Sequence, residues 1–578
     1  MNQSLTQYLP IIDWARHYNK SFFFNDLIAG IVVTVLLIPQ SLAYALLAGV
    51  SAEVGLYASI LPLILYAVFG TSKTLSVGPV AVISLMTATT LGNVAQQGQV
   101  EYLNAAIVLA GLSGVMLLGM GFLRLGFIAN FLSHSVISGF ITASGIIIAA
   151  SQLKHILGVS SDGDTLFEIV HSLYQSTFGT VDSDVGGISL VTVMIGMLAI
   201  AFLYFSKRYA ERLLIRLGLK KQTAYFIAKT SPIIIVVATI ILAYWLQLGD
   251  QGLALVGSIP SGMPSFSLSL PTFELVKMLI LPAFFISLIG YVESVSVGKT
   301  LASKRRQKIN SNQELIGLGA ANIASAVSGA FPVTGGFSRS VVNFDAGAST
   351  QASSIFAAIG ISLAALFLTP VLFYLPKATL AATIIIAVLT LIDFSIFKKT
   401  WVYEKHDFFA VAATVIITLM YGVEAGVSFG IISSIFLHLY RSSKPHIAEV
   451  GLVEGTEHFR NVNRYHVKTD SKILSLRIDE SLSFINASFL EDAIYEKVYQ
   501  RDEISQVILV CSAINEIDHS ALETLEMVNH RLLEQGIKLH LSEVKGPVMD
   551  SLKVSGFIER LTGNIYLTQF QAYTELSN

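Results

Sequence analysis

The stretch GAFPVTGGFSRS (residues 329–340) lies between two long apolar runs and breaks them. It carries glycines, a proline and a cluster of hydroxyls, and it delivers Arg339 to membrane depth. Non-helical backbone survives in a bilayer only where it is buried in protein or lines a cavity. An ionisable side chain at that depth is costly and points to function. The stretch therefore predicts a many-span helical protein with a polar site built at a broken span. A kinked helix whose arginine snorkels to the interface is the plainer account of the same residues.

The bulk composition agrees with spans. Of 578 residues, 13% are charged and 53% hydrophobic, with a mean hydropathy of +0.66. A soluble chain with so few charges would not cover its own surface. The net charge of −2 gives no reason to expect a nucleic-acid partner. A single cysteine, Cys511, excludes a disulfide framework and a thiolate metal site, and the histidines are scattered without ligand spacing. No metal and no cofactor is expected. MNQSLTQYLPIIDWARHYNK at the N-terminus lacks a short apolar core followed by a cleavage site, so the first span is expected to serve as the insertion signal.

Apolar runs long enough for helical spans recur from about residue 24 to about residue 440. The first seven are 24–45, 53–69, 79–93, 102–122, 130–152, 188–206 and 228–249. The second seven are 273–297, 313–330, 338–347, 351–375, 378–393, 407–421 and 423–440. Two of them, 79–93 and 338–347, are too short to cross, and each is the third of its set.

Charge tests the count. The connection after the sixth segment carries Lys207, Arg208, Arg212, Arg216, Lys220, Lys221 and Lys229, and that after the eighth carries Lys299, Lys304, Arg305, Arg306 and Lys308. The connection after the twelfth carries Lys398, Lys399 and Lys405. The one after the fifth, from His155 to about Gly187, holds Asp162, Asp164, Glu168, Asp182 and Asp184 with no lysine or arginine. Positive residues collect on the cytoplasmic side. The pattern therefore predicts both termini in the cytoplasm, residues 1–23 as a cytoplasmic lead and 24–440 as the membrane domain.

Beyond residue 446 the pattern changes. ILSLRI (473–478), QVILVC (506–511) and KLHLSEV (538–544) read as strands, and HSALETLEMVNHRLLEQ (519–535) as a helix. Alternating strands and helices predict a small cytoplasmic α/β domain over 446–578, with Cys511 as a buried thiol.

LSVGPVAVIS (75–84) is the counterpart of VTGGFSRSVV (333–342): each has an extended lead-in, a glycine permitting unusual backbone angles, and a helix start. Short, Gly/Pro-interrupted segments at matching places in two halves point to a transporter site. If the halves are inverted copies, two helix N-termini meet near the midplane. Their unpaired N–H groups and dipoles favour an anion. Ser338 and Ser340 add hydroxyls and Arg339 adds charge. In VLLIPQSLAYALLAG (35–49), Pro39 is expected to interrupt the helix, with Gln40 and Tyr44 on one face as pocket lining or as helix–helix contacts. Glu293, in FFISLIGYVESVSVGKT (284–300), could neutralise Arg339, carry a coupling proton, ligate sodium or serve a structural pairing; Asp345 is a weaker candidate of the same kind. VGKT (297–300) lacks the glycine that a phosphate-binding loop requires five residues earlier.

The run IPQSLAYALLAGVSAEVGLYASILPLILYAVFGTSKTLSVGPVAVIS resembles the signature region of the SulP sulfate-permease family. FLSHSVISGFITASGIIIAASQLKHILG (131–158) and NQELIGLGAANIASAVSGAFPVTGGFSRSVVN (312–343) resemble it too, and the tail is similar to that family's STAS domain. The resemblance implies a seven-plus-seven inverted repeat shared with uracil transporters, with a core of segments 1–4 and 8–11, a gate of segments 5–7 and 12–14, and a homodimer. It implies an anion pocket between segments 3 and 10, carried over onto Gln40, Tyr44, Gly78, Pro79, Val80, Phe337, Ser338, Arg339 and Ser340. Val80 stands where animal members often have phenylalanine. Glu293 matches an acidic position linked to cation coupling, with a proton favoured over sodium. IDHSALETL (517–525) is similar to a motif in which a serine is phosphorylated, which would be Ser520, although Ala521 replaces the usual glycine and a cap role for Asp518 or Ser520 competes.

The expectation is a secondary active carrier, not an enzyme, of sulfate, bicarbonate or another small anion, working by elevator-like alternating access in the inner membrane. Sodium-coupled carriage of bicarbonate or a dicarboxylate, an uncoupled exchanger or channel, a nucleobase carrier, and a membrane-anchored regulator with a cytosolic partner at the STAS domain are the alternatives.

Overall fold

The computed structural model describes residues 8–577 apart from 93, 96–99, 131–132, 179–187, 259, 261 and 265–270. Asp182, Asp184 and Gly187 of the acidic connection lie outside the described residues. The chain forms two compact units, Met1–Ser434 and Ile435–Asn578.

In the first unit all fourteen predicted segments are found as helical elements. Segments 1 to 7 are Lys20–Leu47, Ala52–Phe69 (in two pieces), Ala81–Gly92, Val100–Phe122, His134–Leu157, Leu190–Phe205 and Ser231–Trp245. Segments 8 to 14 are Phe273–Lys304, Ser311–Val327, Phe337–Asp345, Ala352–Phe367, Lys377–Val388, Lys405–Tyr421 and Val423–Ser443. Among the described residues, seven helices are long and apolar enough to cross a bilayer alone, or eight if the bent pair Thr223–Lys229 and Ser231–Trp245 counts as one. The others are short, and segments 3 and 10 are half-helices. Polar caps set several starts: the Asn19 side chain accepts from Phe22 N–H at 3.0 Å, and Asn310 from Asn312 N–H at 3.0 Å.

One expectation is corrected. Pro39 does not interrupt segment 1, which runs unbroken from Lys20 to Leu47 with the proline inside it; neighbouring helices make such a proline tolerable in a membrane span. The acidic connection after segment 5 also contains an amphipathic helix, Leu166–Phe178, which is too short and too polar on one face to read as a span.

Segments 1–4 pack with 8–11, through pairs 4–9, 1–11, 2–9 and 4–8. Segments 5–7 pack with 12 and 13, through pairs 5–13, 6–12 and 5–12, and segment 14 lies against 5 and 13 at Gly430 and Gly426. These two bodies are a core and a gate. Small residues let core helices touch backbone to backbone: a Cβ on Gly319 would come 2.8 Å from Leu118 N, and one on Gly114 2.8 Å from Ile323 N.

The second unit carries a six-stranded sheet. Its strands are β3 (Ile447–Leu452), β4 (Phe459–Asn461), β5 (Ile473–Ile478), β6 (Gln506–Val510), β7 (Lys538–Ser542) and β8 (Ile565–Tyr566), in the order β4-β3-β5-β6-β7-β8. Strands β5 to β8 run parallel, and β3 pairs antiparallel with both β4 and β5. Helices Ala487–Tyr499 and His519–Glu534 cover a core of Leu474, Leu476, Val507, Leu509, Leu525 and Leu539. Cys511 is buried within it, and burial pushes its thiol up to about 12.

Candidate functional site

The two half-helices start from lead-ins that cross. Strand β1 (Val77–Gly78) pairs antiparallel with β2 (Thr334–Gly335), Val77 opposite Gly335 and Gly78 opposite Thr334. Two residues of ladder leave most of the lead-in backbone unpaired, and buried backbone must find partners. Side chains supply them. Glu314, fully buried, accepts from Thr71 N–H at 2.8 Å, Ser72 N–H at 3.1 Å, the Thr71 hydroxyl at 2.5 Å and the Tyr66 hydroxyl at 2.6 Å. Asn343 donates to Thr74 O at 3.0 Å, and Gln351 donates to the carbonyls of Ser72 and Leu75. On the other lead-in the Asn322 side chain pairs with both N–H and C=O of Val333 at 2.9 Å, as a strand neighbour would. The Ser294 hydroxyl accepts from Gly335 N–H at 2.8 Å.

Arg339 is 2% exposed, and its guanidinium is spent on this crossing. Nε donates to Ser76 O at 2.7 Å, Nη1 to Pro79 O at 2.6 Å, and Nη2 to Gly78 O at 2.7 Å and Thr334 O at 2.6 Å. Four carbonyls from both lead-ins converge on one rigid fork, a geometry that lysine's point charge cannot reproduce. The arginine does not snorkel. It clamps the two breaks together and places its charge behind the helix starts.

The glycines are explained by this clamp. Gly78, Gly335 and Gly336 do not use left-handed backbone, which corrects the sequence expectation; in the opening stretch it is Gly329 that does, at φ 69°. Gly336 has φ −88° and serves as the N-cap of segment 10 with no side-chain cap hydrogen bond. A Cβ there would come 2.8 Å from Arg339 Nε, and one on Gly78 3.3 Å from Nη1.

The other candidates divide into two groups. Ser340 is fully buried and its Oγ accepts from Ser76 N–H at 3.0 Å, so it too fastens the crossing. Pro79 joins through its carbonyl, and Val80 is buried at the first turn of segment 3. Phe337 and Ser338 instead project outward at the first turn of segment 10, Phe337 half exposed. Ser338 and Gln40 line one cavity of about 170 Å³ between core and gate, together with Leu36, Lys207, Tyr225 and Lys229. An uncapped helix start, a hydroxyl and two ammonium groups favour an anion in this cavity, against the single carboxylate of Glu211 that also lines it.

Tyr44 is buried, and Tyr44, Glu293 and Arg339 lie within electrostatic reach of one another. Glu293 forms no ion pair with Arg339 at contact distance and no hydrogen bond among the described residues. Asp345 is placed elsewhere, at the far end of segment 10, where it accepts from the Tyr225 hydroxyl. In the second unit Asp518 caps the helix His519–Glu534, accepting from Ala521 N–H at 2.8 Å and Phe484 N–H at 2.8 Å, while Ser520 is exposed.

Glu314, Asn322, Gln351 and Ser294 were not singled out from the sequence. Their signal was available, since an amide or carboxylate inside an apolar helix needs a partner, but the partner itself is not readable from spacing.

A model of the sulfate permease family matches residues 23–414, and one of the STAS domain matches residues 464–572. The chain is similar to sulfate transporter 4.1, chloroplastic, of Arabidopsis thaliana, with 36% identity over 95% of this chain and 79% of that one. It is also similar to high affinity sulfate transporter 2 of Stylosanthes hamata, with 30% identity over 97% and 85%. The fold matches the inward-facing murine Solute Carrier 26 family member A9 anion transporter, with a TM-score of 0.87 and 23% identity over 100% and 95% of the two chains. The transmembrane domain of a cyanobacterium bicarbonate transporter, BicA, matches with a TM-score of 0.60 and 21% identity over 72% and 98%.

Proposed function

Because the chain belongs to the sulfate permease family, we propose that it is a secondary active transporter of a small anion, with sulfate the first substrate to test and bicarbonate the second. Members of this family are transporters and not enzymes. The observation that carries the reading is the crossing of the two lead-ins, which brings two half-helix starts together over the charge of Arg339. An anion bound there meets backbone N–H groups, a full positive field and, toward the gate, Ser338 and Gln40. Arg339 acts chiefly through its field and by fixing geometry, since four of its five N–H donors are held by carbonyls. Gly78, Val80, Phe337 and Tyr44 shape the pocket around it.

Core and gate are separately packed bodies joined by an apolar seam, at which Ile289 of the core meets Val136, Phe140, Val427 and Ile431 of the gate. Apolar contacts are non-directional and tolerate sliding. That supports alternating access by an elevator-like movement of residues 24–440, core against gate. Glu293, near the anion and without a hydrogen-bonding partner among the described residues, is the coupling group, taking up a proton in preference to sodium. The protein works in a bilayer, the inner membrane, as a homodimer with cytoplasmic termini, and residues 446–578 offer a surface for a cytosolic partner.

The test is uptake of labelled sulfate and labelled bicarbonate into liposomes, with and without an inward proton gradient. Gradient-driven accumulation supports a coupled carrier. Flux indifferent to the gradient makes it an exchanger or channel. Absence of flux for both anions removes them as substrates, leaving a dicarboxylate carrier or a STAS-linked regulator to be tested.

A further inference from the structure

Among the described residues, two side-chain hydrogen bonds that cross from core to gate occupy corresponding places. At the end of segment 3 the Thr90 hydroxyl donates to Glu424 Oε1 at the start of segment 14, at 2.6 Å. At the end of segment 10 Asp345 accepts from the hydroxyl of Tyr225, on the helix Lys221–Lys229 that leads into segment 7. Segments 3 and 10 start together at the β1–β2 crossing and, being inverted copies, run to opposite membrane faces. Each half-helix is therefore tied to the gate at its C-terminal end, one tie on each face.

The surrounding seam is apolar and can slide by small steps at small cost, but a hydrogen bond is made or lost within a fraction of an ångström. We propose that Thr90–Glu424 and Tyr225–Asp345 are paired latches that set the resting position of the core, and that translocation releases them. The inference rests on the alternating-access reading above. It assigns a positioning role to Thr90, Glu424, Asp345 and Tyr225; Tyr225 also lines the cavity beside Ser338, so the Thr90–Glu424 pair, away from that cavity, is the cleaner test. Both latches use the half-helices that form the anion site, so a movement of that site is transmitted to them along rigid elements. Each contributes the net strength of one hydrogen bond, so losing one lowers the population of the latched state relative to the released one by about three- to tenfold.

The experiment measures core-to-gate distance in full-length protein by pulsed electron–electron resonance. Spin labels go on Lys73→Cys in the core and Lys398→Cys in the gate, both exposed, with buried Cys511 replaced by alanine. Thr90→Val and Tyr225→Phe each remove one donor and keep the shape. Each is expected to shift the distance distribution away from the resting peak by about three- to tenfold, and the pair together by about the product, since the two sites are far apart. Thr90→Ser, which keeps the hydroxyl, is expected to restore the resting distribution. If both single variants leave a two-peak distribution unchanged, or if Thr90→Ser shifts it as far as Thr90→Val, the latches are overturned while alternating access stands. A single invariant peak in unsubstituted protein, with and without sulfate and across an imposed pH step, overturns alternating access and the latches with it.

Discussion

Arg339 and Gly78 are separated by 261 positions in the chain, yet Nη2 of the arginine donates to the glycine carbonyl at 2.7 Å. That bond joins the two broken segments beside the two-residue pairing of β1 with β2. Arg339, expected from the sequence as a candidate anion ligand, is thus a structural clamp.

Arg339→Ala removes the donors of four buried carbonyls as well as the charge. A buried carbonyl left without its donor costs about 1–3 kcal/mol, so the variant is expected to melt well below the parent and to lose anion affinity. Arg339→Lys restores charge without the fork and is expected to recover only part of either. Thermal unfolding in detergent, paired with sulfate binding, checks both; an unchanged melting point would remove the clamp.

Gly336→Ala and Gly78→Ala make a graded pair. The first puts a methyl group 2.8 Å from Arg339 Nε, so the guanidinium must move, while the second meets Nη1 at 3.3 Å and asks for less. Displacements of this size at a site built on positioning cost about tenfold or more in rate. Uptake is expected to fall further for Gly336→Ala than for Gly78→Ala, and the reverse order would mean that the guanidinium is not the sensitive element.

Glu293→Gln keeps the shape of the side chain and removes its ability to exchange a proton. It is expected to abolish gradient-driven accumulation while sparing anion exchange across the same liposomes. Accumulation that still follows the imposed pH gradient would take Glu293 out of coupling.

His540 on β7 is buried; Nδ1 accepts from Asn564 N–H at 3.0 Å and Nε2 donates to Gln506 Oε1 at 2.7 Å. Burial, with Lys538 nearby, lowers its pKa from 6.5 to about 4. The unfolded chain then binds more protons between those values, so the stabilisation is complete above pH 6.5 and is lost as pH falls toward about 4. Protection factors of β6 and β7 amides, corrected for the intrinsic pH dependence of exchange, are expected to fall with acid across that range, and His540→Gln to flatten the slope.

Asp518→Ala removes the acceptor for Ala521 N–H and Phe484 N–H and is expected to cost about 1–2 kcal/mol at the start of helix His519–Glu534. Ser520→Ala, on the exposed face, is expected to stay within about 0.5 kcal/mol. Exchange protection of that helix distinguishes them; equal effects would make Ser520 part of the cap.

The sequence by itself determined the membrane segments, because a span must be apolar over a bilayer's thickness whatever surrounds it. It also marked the two breaks, since glycine and proline in such a run have few other uses, and the α/β tail, whose strands β5, β6 and β7 lie within the runs read from it. Tertiary structure alone decided which polar groups meet. Arg339 was legible as a buried cation, but its four carbonyl partners belong to lead-ins brought together by the fold. Glu314 and Asn322 were visible as polar residues in apolar helices, and the backbone groups they satisfy were not. Pro39 shows the converse: its local preference to break a helix yields to packing against neighbouring segments. Apolar periodicity is a local property of the chain, whereas a hydrogen bond in a membrane interior has one partner chosen by distance and direction, and those exist only once the two halves have been folded together.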